Sequence, residues 1–77
     1  MKLPWLSARE VLKVLIRNGF IIKRQIGSHI QLVGIVKNAR QLVTVPYHGN
    51  EDLAPGTLLS IIEQSGFTKE EFLNLIR

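Results

Sequence analysis

The chain has 77 residues, of which 45% are hydrophobic, and a formal net charge of +4 at pH 7. This length predicts a single domain, residues 1–77, with a small core. The absence of cysteine excludes a disulfide framework and a thiolate metal site, and the two histidines lack the further ligands that a zinc site needs. No apolar run approaches the ~20 residues of a membrane span, and no signal peptide opens the sequence. We therefore expect a cytoplasmic protein that uses no metal, cofactor or membrane.

Positive charge is concentrated in the first part of the sequence. Residues 1–48 contain eight lysines or arginines and one glutamate, a balance of +7, whereas residues 49–77 have a balance of −3. Such asymmetry favours an anionic partner, most commonly nucleic acid. A solvated basic surface, which is common in small proteins, is the alternative.

A helix is predicted over residues 7–18. Ser7 and Glu10 have the spacing of a capping box, and the apolar residues that follow recur at the spacing of one helical face. Gly19 can adopt the left-handed conformation that ends a helix.

Three strands are predicted next, over residues 20–26, 29–36 and 40–45, because these runs are rich in β-branched and aromatic residues. Their turns, Gly27-Ser28 and residues 37–39, are short, so the strands should form an antiparallel meander that ends at Pro46. Alternation divides the second strand into a helix-facing set, Ile30, Leu32 and Val36, and an open set, His29, Gln31, Val33 and Ile35.

Two helices complete the predicted fold. The first has Pro55 in its first turn and ends at Ser65-Gly66, and the second begins with a capping box of Thr68 and Glu71. Phe72, Leu73 and Ile76 of the last helix should face inward. The order α-β-β-β-α-α predicts an α+β, two-layer domain with a three-stranded antiparallel sheet. This is the layout of a double-stranded-RNA-binding domain with one extra C-terminal helix.

His29 is the candidate catalytic residue, since imidazole exchanges protons near neutral pH. The neighbouring bases Lys23 and Arg24 favour a phosphate-bearing substrate, but in a regular strand only one of them, preferably Arg24, lies on the face of His29. Gly27 would let the backbone approach a phosphate, and Ser28 offers a hydroxyl and an amide. The alternative is that all of these are solvated turn and strand residues.

Three blocks of sequence occur in order over roughly residues 7–67: Arg24-Gln25-x-Gly27-Ser28-His29, Val43-Thr44-Val45-Pro46-x-His48-Gly49-Asn50, and Leu53-x-Pro55-Gly56-Thr57-Leu58-x-Ser60-Ile61 followed by Gln64-x-Gly66. Together they resemble the HicA toxins of HicAB toxin–antitoxin systems. The resemblance implies a double-stranded-RNA-binding-like fold, endoribonuclease activity on mRNA, inhibition by a HicB antitoxin, and His29 as the catalytic histidine of the Gly-Ser-His segment. Lys23, Arg24, Gly27 and Ser28 are the expected substrate-binding residues.

The sequence departs from the family pattern at two positions. Many members have a second histidine where this chain has Ile30, and a base where it has Leu59. The first change should spare catalysis because Ile30 is predicted to face the core, whereas the second removes a phosphate contact. His48 is interpreted as a residue that structures its loop.

Two expectations and one alternative concern the function. No acidic cluster adjoins His29, so RNA cleavage should be independent of metal. The alternative function is that of a non-catalytic RNA-binding module, but residues 55–60 lack the bases that such a module would use. Val33 and Ile35 form an apolar patch beside His29 and are predicted to contact the antitoxin, unless the loop over residues 47–53 covers them.

Overall fold

A computed structural model describes residues 2–76, so the outermost residues of the predicted domain, Met1 and Arg77, lie outside it. The fold is α+β, with a three-stranded antiparallel sheet in the order β1-β2-β3, as the sequence predicts. The elements along the chain are α1 (Ala8–Arg17), β1 (Ile21–Ile26), β2 (His29–Val36), β3 (Ala39–Pro46), α2 (Pro55–Ser65) and α3 (Lys69–Leu75).

Both predicted capping boxes are present. The Ser7 hydroxyl accepts from the Glu10 amide at 3.2 Å, and the Ser7 amide donates to the Glu10 carboxylate at 2.9 Å. At the start of α3, Thr68 and Glu71 make the same reciprocal pair at 3.1 and 2.8 Å. Each box satisfies amides that the first helical turn leaves without a partner, which explains where α1 and α3 begin.

The two hairpin turns are set by backbone conformation. Gly27 has φ +58°, and Ser28 is not among the residues of positive φ, which fits a two-residue type II′ turn between β1 and β2. Lys37 and Asn38 both have positive φ, the requirement of a type I′ turn between β2 and β3. The second turn is therefore one residue shorter than predicted, and β3 extends over Ala39 and Pro46 at its two ends.

The sheet has one buried and one open face. Ile30, Leu32 and Val36 of β2 are 6%, 0% and 5% exposed, in agreement with their predicted helix-facing position. They form the core with Val43 and Val45 of β3 and the apolar faces of the helices, and α2 packs mainly against β3. The other face of the sheet, called the open face below, carries His29, Gln31, Val33 and Ile35.

The inward face of α3 differs in part from the prediction. Phe72 is fully buried and Ile76 packs against the core, as expected. Leu73 is only half-buried and lies outside the core cluster, whereas Leu75 packs against it. The helix is seven residues long, so a small rotation decides which leucine reaches the core.

Candidate functional site

His29 is the first residue of β2 and lies exposed on the open face. It is paired with Ile26 of β1 on one side and with Pro46 of β3 on the other. The Ser28 carbonyl accepts a hydrogen bond from the Tyr47 amide, which ties the turn before His29 to the chain that leaves β3. The histidine is thus held on a hairpin end that is anchored on both sides.

Arg24 shares the open face with His29. Arg24 is paired with Gln31, and His29 with Ile26, so Arg24 and His29 are diagonal neighbours across two strands. Such neighbours have Cα atoms ~7–8 Å apart, within reach of a long side chain. The register is irregular between Ile22 and Arg24, so Lys23 is the extra residue of a β-bulge and has no partner in the ladder. The structure therefore places Arg24, and not Lys23, in the paired register next to His29.

Gly27 and Ser28 form the tight turn that precedes His29. The side-chain Nε2 of Gln25 donates to the Gly27 carbonyl at 3.1 Å, which closes the turn locally. A Cβ at Gly27 would meet no atom within 4 Å, so the space beside this turn is open. The positive φ, and not crowding, accounts for glycine at this position.

A cleft of about 370 Å³ adjoins His29 on the side away from β1. Its strand-side lining consists of His29, Thr44 and Pro46. Its helix-side lining comes from α2 and consists of Gly56, Thr57, Ser60, Ile61 and Gln64. None of the residues chosen from the sequence except His29 lines this cleft.

The start of α2 leaves amides without helical partners. Its N-cap is Ala54, which has no side-chain acceptor, and its first turn contains no acidic residue. Pro55 lacks an amide hydrogen, and the Leu58 amide bonds to the Ala54 carbonyl at 3.0 Å. The Gly56 and Thr57 amides are therefore among those that the helix itself does not use, and both residues lie at the cleft.

A hydrogen-bond chain fixes the other end of the cleft. The Thr44 amide donates to Gln64 Oε1 at 2.9 Å, and Gln64 Nε2 donates to Ser60 Oγ at 3.1 Å. Gln64 thereby connects the outer edge of β3 to α2. One acceptor position of the Ser60 hydroxyl is occupied, while its proton remains available as a donor.

The helix-side lining was missed from the sequence, although a signal existed. Thr57, Ser60 and Gln64 recur at spacings of three and four, which places them on one face of a helix. All three also fall within the blocks that carry the family resemblance. Leu59, the position of the absent base, is half-buried and is not one of the lining residues. His48 is exposed in the loop after β3, where its carbonyl accepts from the Glu51 amide at 3.4 Å.

The open face is basic and free of carboxylates, because residues 21–46 contain no aspartate or glutamate. Arg40 is paired with Ile35 and so shares this face with Arg24 and His29. Lys37, in the turn at the far end of the sheet, is instead bound to Glu71 of α3 at 2.7 Å. The hydrogen bond from Lys37, with that from the Thr68 amide, lowers the pKa of the Glu71 carboxyl.

An apolar patch occupies the open face away from His29. It consists of Ile21, Val33, Ile35 and Leu42, which are aligned by the register Ile21–Val33–Leu42. Ile21, Ile35 and Leu42 are 69%, 66% and 45% exposed, and Val33 is half-buried. The exposure of Ile35 rules out the alternative that the loop over residues 47–53 covers it.

Within residues 2–76, no group of three or more His, Cys, Asp or Glu side chains is placed to hold a metal ion. No helix in that same range combines the length and apolarity needed to cross a bilayer.

Comparison with known proteins identifies the family. Residues 8–67 match the family model described as the HicA toxin of bacterial toxin-antitoxin. A comparison with curated proteins gives no match. The family match covers most of the 77 residues and includes the whole sheet and α2; the cleft is lined by residues of β2, β3 and α2. The chain therefore belongs to the HicA toxin family of bacterial toxin–antitoxin systems.

Proposed function

We propose that this HicA-family toxin is an endoribonuclease that cleaves mRNA without a metal and uses His29 as its catalytic acid–base. The observation that carries the proposal is the position of His29, the histidine of the Gly-Ser-His segment. It is exposed at the junction of a basic sheet face and a cleft. An RNA strand can therefore approach it, which a buried structural histidine would not permit. Because mRNA is the substrate, we also propose that the protein acts in the cytoplasm.

The reaction requires one proton to leave and another to arrive. The imidazole of His29 takes the proton of a ribose 2′-hydroxyl, whose oxygen then attacks the adjacent phosphorus. The bond from phosphorus to the leaving 5′-oxygen breaks, and that oxygen receives a proton from the imidazolium. The products are a 2′,3′-cyclic phosphate and a 5′-hydroxyl. General acid–base catalysis of this kind contributes ~10²–10⁴-fold to a rate.

The negative charge that develops on the phosphate needs fixed donors. Arg24 is best placed among the predicted substrate-binding residues because it is the diagonal neighbour of His29 on the open face. Lys23, in the bulge, is assigned to a more distant phosphate of the backbone. We assign the Gly27-Ser28 turn to close backbone approach, and the Gly56 and Thr57 amides to the other side of the reacting group.

The non-catalytic RNA-binding module remains the alternative, and His29→Ala separates the two functions. Because His29 is exposed, its truncation should change the free energy of unfolding by less than about 0.5 kcal/mol. We expect the folded variant to lose RNA cleavage and toxicity on expression while it still binds RNA. His48→Ala is the matched control and should keep both activities. A His29→Ala protein that is folded and as toxic as the wild type would contradict the proposal.

We further propose that the cognate antitoxin, a HicB-like protein, covers the open face and thereby blocks His29. The apolar patch and the histidine lie on the same face, so a single partner can contact both. Arg24 and Arg40 flank the patch without any carboxylate in residues 21–46. Two copies of this face would place arginine against arginine. The charge pattern therefore favours a partner with an apolar centre and acidic margins, and opposite charges also speed association.

A further inference from the structure

The cleft beside His29 lies along the β3 edge of the open face and is chemically different from the rest of that face. Apart from His29, no residue that lines it is ionisable. Its polar side chains are neutral, and two apolar side chains complete it: Thr44, Thr57, Ser60 and Gln64, with Pro46 and Ile61. The arginines Arg24 and Arg40, in contrast, lie on the open face outside the cleft. The two sides of His29 thus offer charge on one side and neutral hydrogen-bonding groups on the other.

This division matches the two parts of a ribonucleotide. Phosphates are contacted chiefly by lysine and arginine, whereas unstacked RNA bases are recognised by apolar packing and by hydrogen bonds to their edges. A volume of about 370 Å³ is within the range of small-molecule sites, so a base with its ribose can be accommodated. The backbone is therefore better placed on the arginine side, and a base in the cleft.

Ser60 offers a hydrogen-bond donor, its hydroxyl group, whose direction is set by Gln64. Gln64 is held by the Thr44 amide at 2.9 Å and donates to Ser60 Oγ at 3.1 Å. Because that hydrogen bond occupies an acceptor position of Oγ, the hydroxyl proton is directed elsewhere, and Ser60 itself is exposed at the cleft. A carbonyl or ring nitrogen on a base edge is a suitable acceptor.

We propose that the cleft between β3 and α2 is a base-recognition pocket for a nucleotide adjoining the scissile phosphate. Ser60 is a specificity-determining residue there, and Gln64 is the residue that positions it. The inference rests on the proposed ribonuclease function, since it is the reacting nucleotide that His29 brings to the cleft. The preference for a particular base would then be set by α2, which is not part of the sheet that carries His29.

The test is a cleavage-site profile. A pool of random-sequence single-stranded RNA is digested with the wild type, Ser60→Ala and Ser60→Thr, and the fragment ends are sequenced. Loss of one hydrogen bond to a base should reduce the preference at a single position beside the cut by about fivefold to tenfold. Ser60→Thr, which keeps the hydroxyl, should restore that preference. Gln64→Met should weaken the preference in the same direction, because it releases the Ser60 hydroxyl.

Glu63→Ala, on the same helix but outside the cleft lining, is the control and should leave the profile unchanged. If Ser60→Ala slows cleavage equally at all sequences, Ser60 contacts the backbone and the inference is wrong, because only base contacts relax specificity at one position. An unchanged profile also contradicts it.

A binding measurement separates this inference from the proposed function. Short 2′-O-methyl RNAs that differ in one base cannot undergo attack by the 2′-oxygen, and they can be titrated into the protein by NMR whether or not it cleaves. Base-dependent shifts at the Ser60 and Gln64 amides support the pocket even if the wild type proves inactive. Shifts that are absent, or identical for all bases, overturn it.

Discussion

Replacing two residues of the apolar patch should weaken antitoxin binding without unfolding the toxin. We choose Ile21→Asp with Ile35→Asp, because these side chains are 69% and 66% exposed and contribute little to the core. An aspartate in a strand costs at most ~1 kcal/mol in β-propensity at each position. The double variant should therefore keep a native circular-dichroism spectrum and a cooperative melting transition.

The expected loss of affinity follows from the exposure. Full burial of an isoleucine side chain contributes ~1.5–3 kcal/mol, and about two thirds of each side chain remains available to a partner. Loss of both contacts then removes roughly 2–4 kcal/mol of binding free energy, which raises the dissociation constant by about 30- to 1,000-fold. Isothermal titration calorimetry with the cognate antitoxin measures this directly, and RNA cleavage in the presence of antitoxin measures the loss of inhibition.

Ile16→Asp is the matched control because Ile16 is 48% exposed but belongs to α1. It introduces one aspartate away from the sheet, against two in the double variant, and should leave antitoxin affinity unchanged. Wild-type affinity and full inhibition in the folded double variant would refute the assignment of the open face. Equal weakening by Ile16→Asp would show a general effect of charge and not a contact.

Three further outcomes test the fold and its electrostatics. Gly34→Ala places a Cβ 2.7 Å from Cγ of the buried Phe20 ring, and this overpacking should destabilise the protein by about 1–3 kcal/mol in thermal or urea denaturation. Gly56→Ala meets no atom within 4 Å and lies in a helix, so it should stabilise by ~0.5–1 kcal/mol; equal stabilities for the two variants would contradict the difference in packing at these two glycines. The pKa of Glu71 is lowered mainly by its hydrogen bond from Lys37. This interaction therefore stabilises the fold above the unfolded-state pKa and is lost as the pH falls through the folded-state pKa. Glu71→Gln should accordingly be less stable than the wild type at neutral pH, and the difference should disappear in acid; a difference independent of pH would exclude this carboxylate as its cause.

The fold was largely predictable from local signals. Ser7 with Glu10 and Thr68 with Glu71 specify where helices begin, and these signals act within four residues. Strand alternation assigned Ile30 and Ile35 to opposite faces, since a side-chain period of two needs no tertiary information. The differences between prediction and structure were also local: β3 is one residue longer than predicted at each end, and Leu75 packs against the core where Leu73 was expected.

The cleft was not predictable in the same way. It depends on how α2 packs against the edge of β3, and the Gln64–Thr44 hydrogen bond that fixes this packing joins residues 20 positions apart. The bulge at Lys23 was missed as well, because one extra residue changes the register without altering the apolar pattern. Sequence reasoning therefore led to His29 and its neighbours along the chain as candidates, but not to Thr57 and Ser60 across from it.

The most direct test of the central claim is cleavage of a defined single-stranded RNA by purified protein in EDTA, with the chemistry of the fragment ends determined. Wild-type protein should produce 2′,3′-cyclic phosphate and 5′-hydroxyl ends, and folded His29→Ala should cleave at least about 100-fold more slowly. Cleavage by His29→Ala at the wild-type rate, or an activity that appears only with Mg²⁺, would contradict the account.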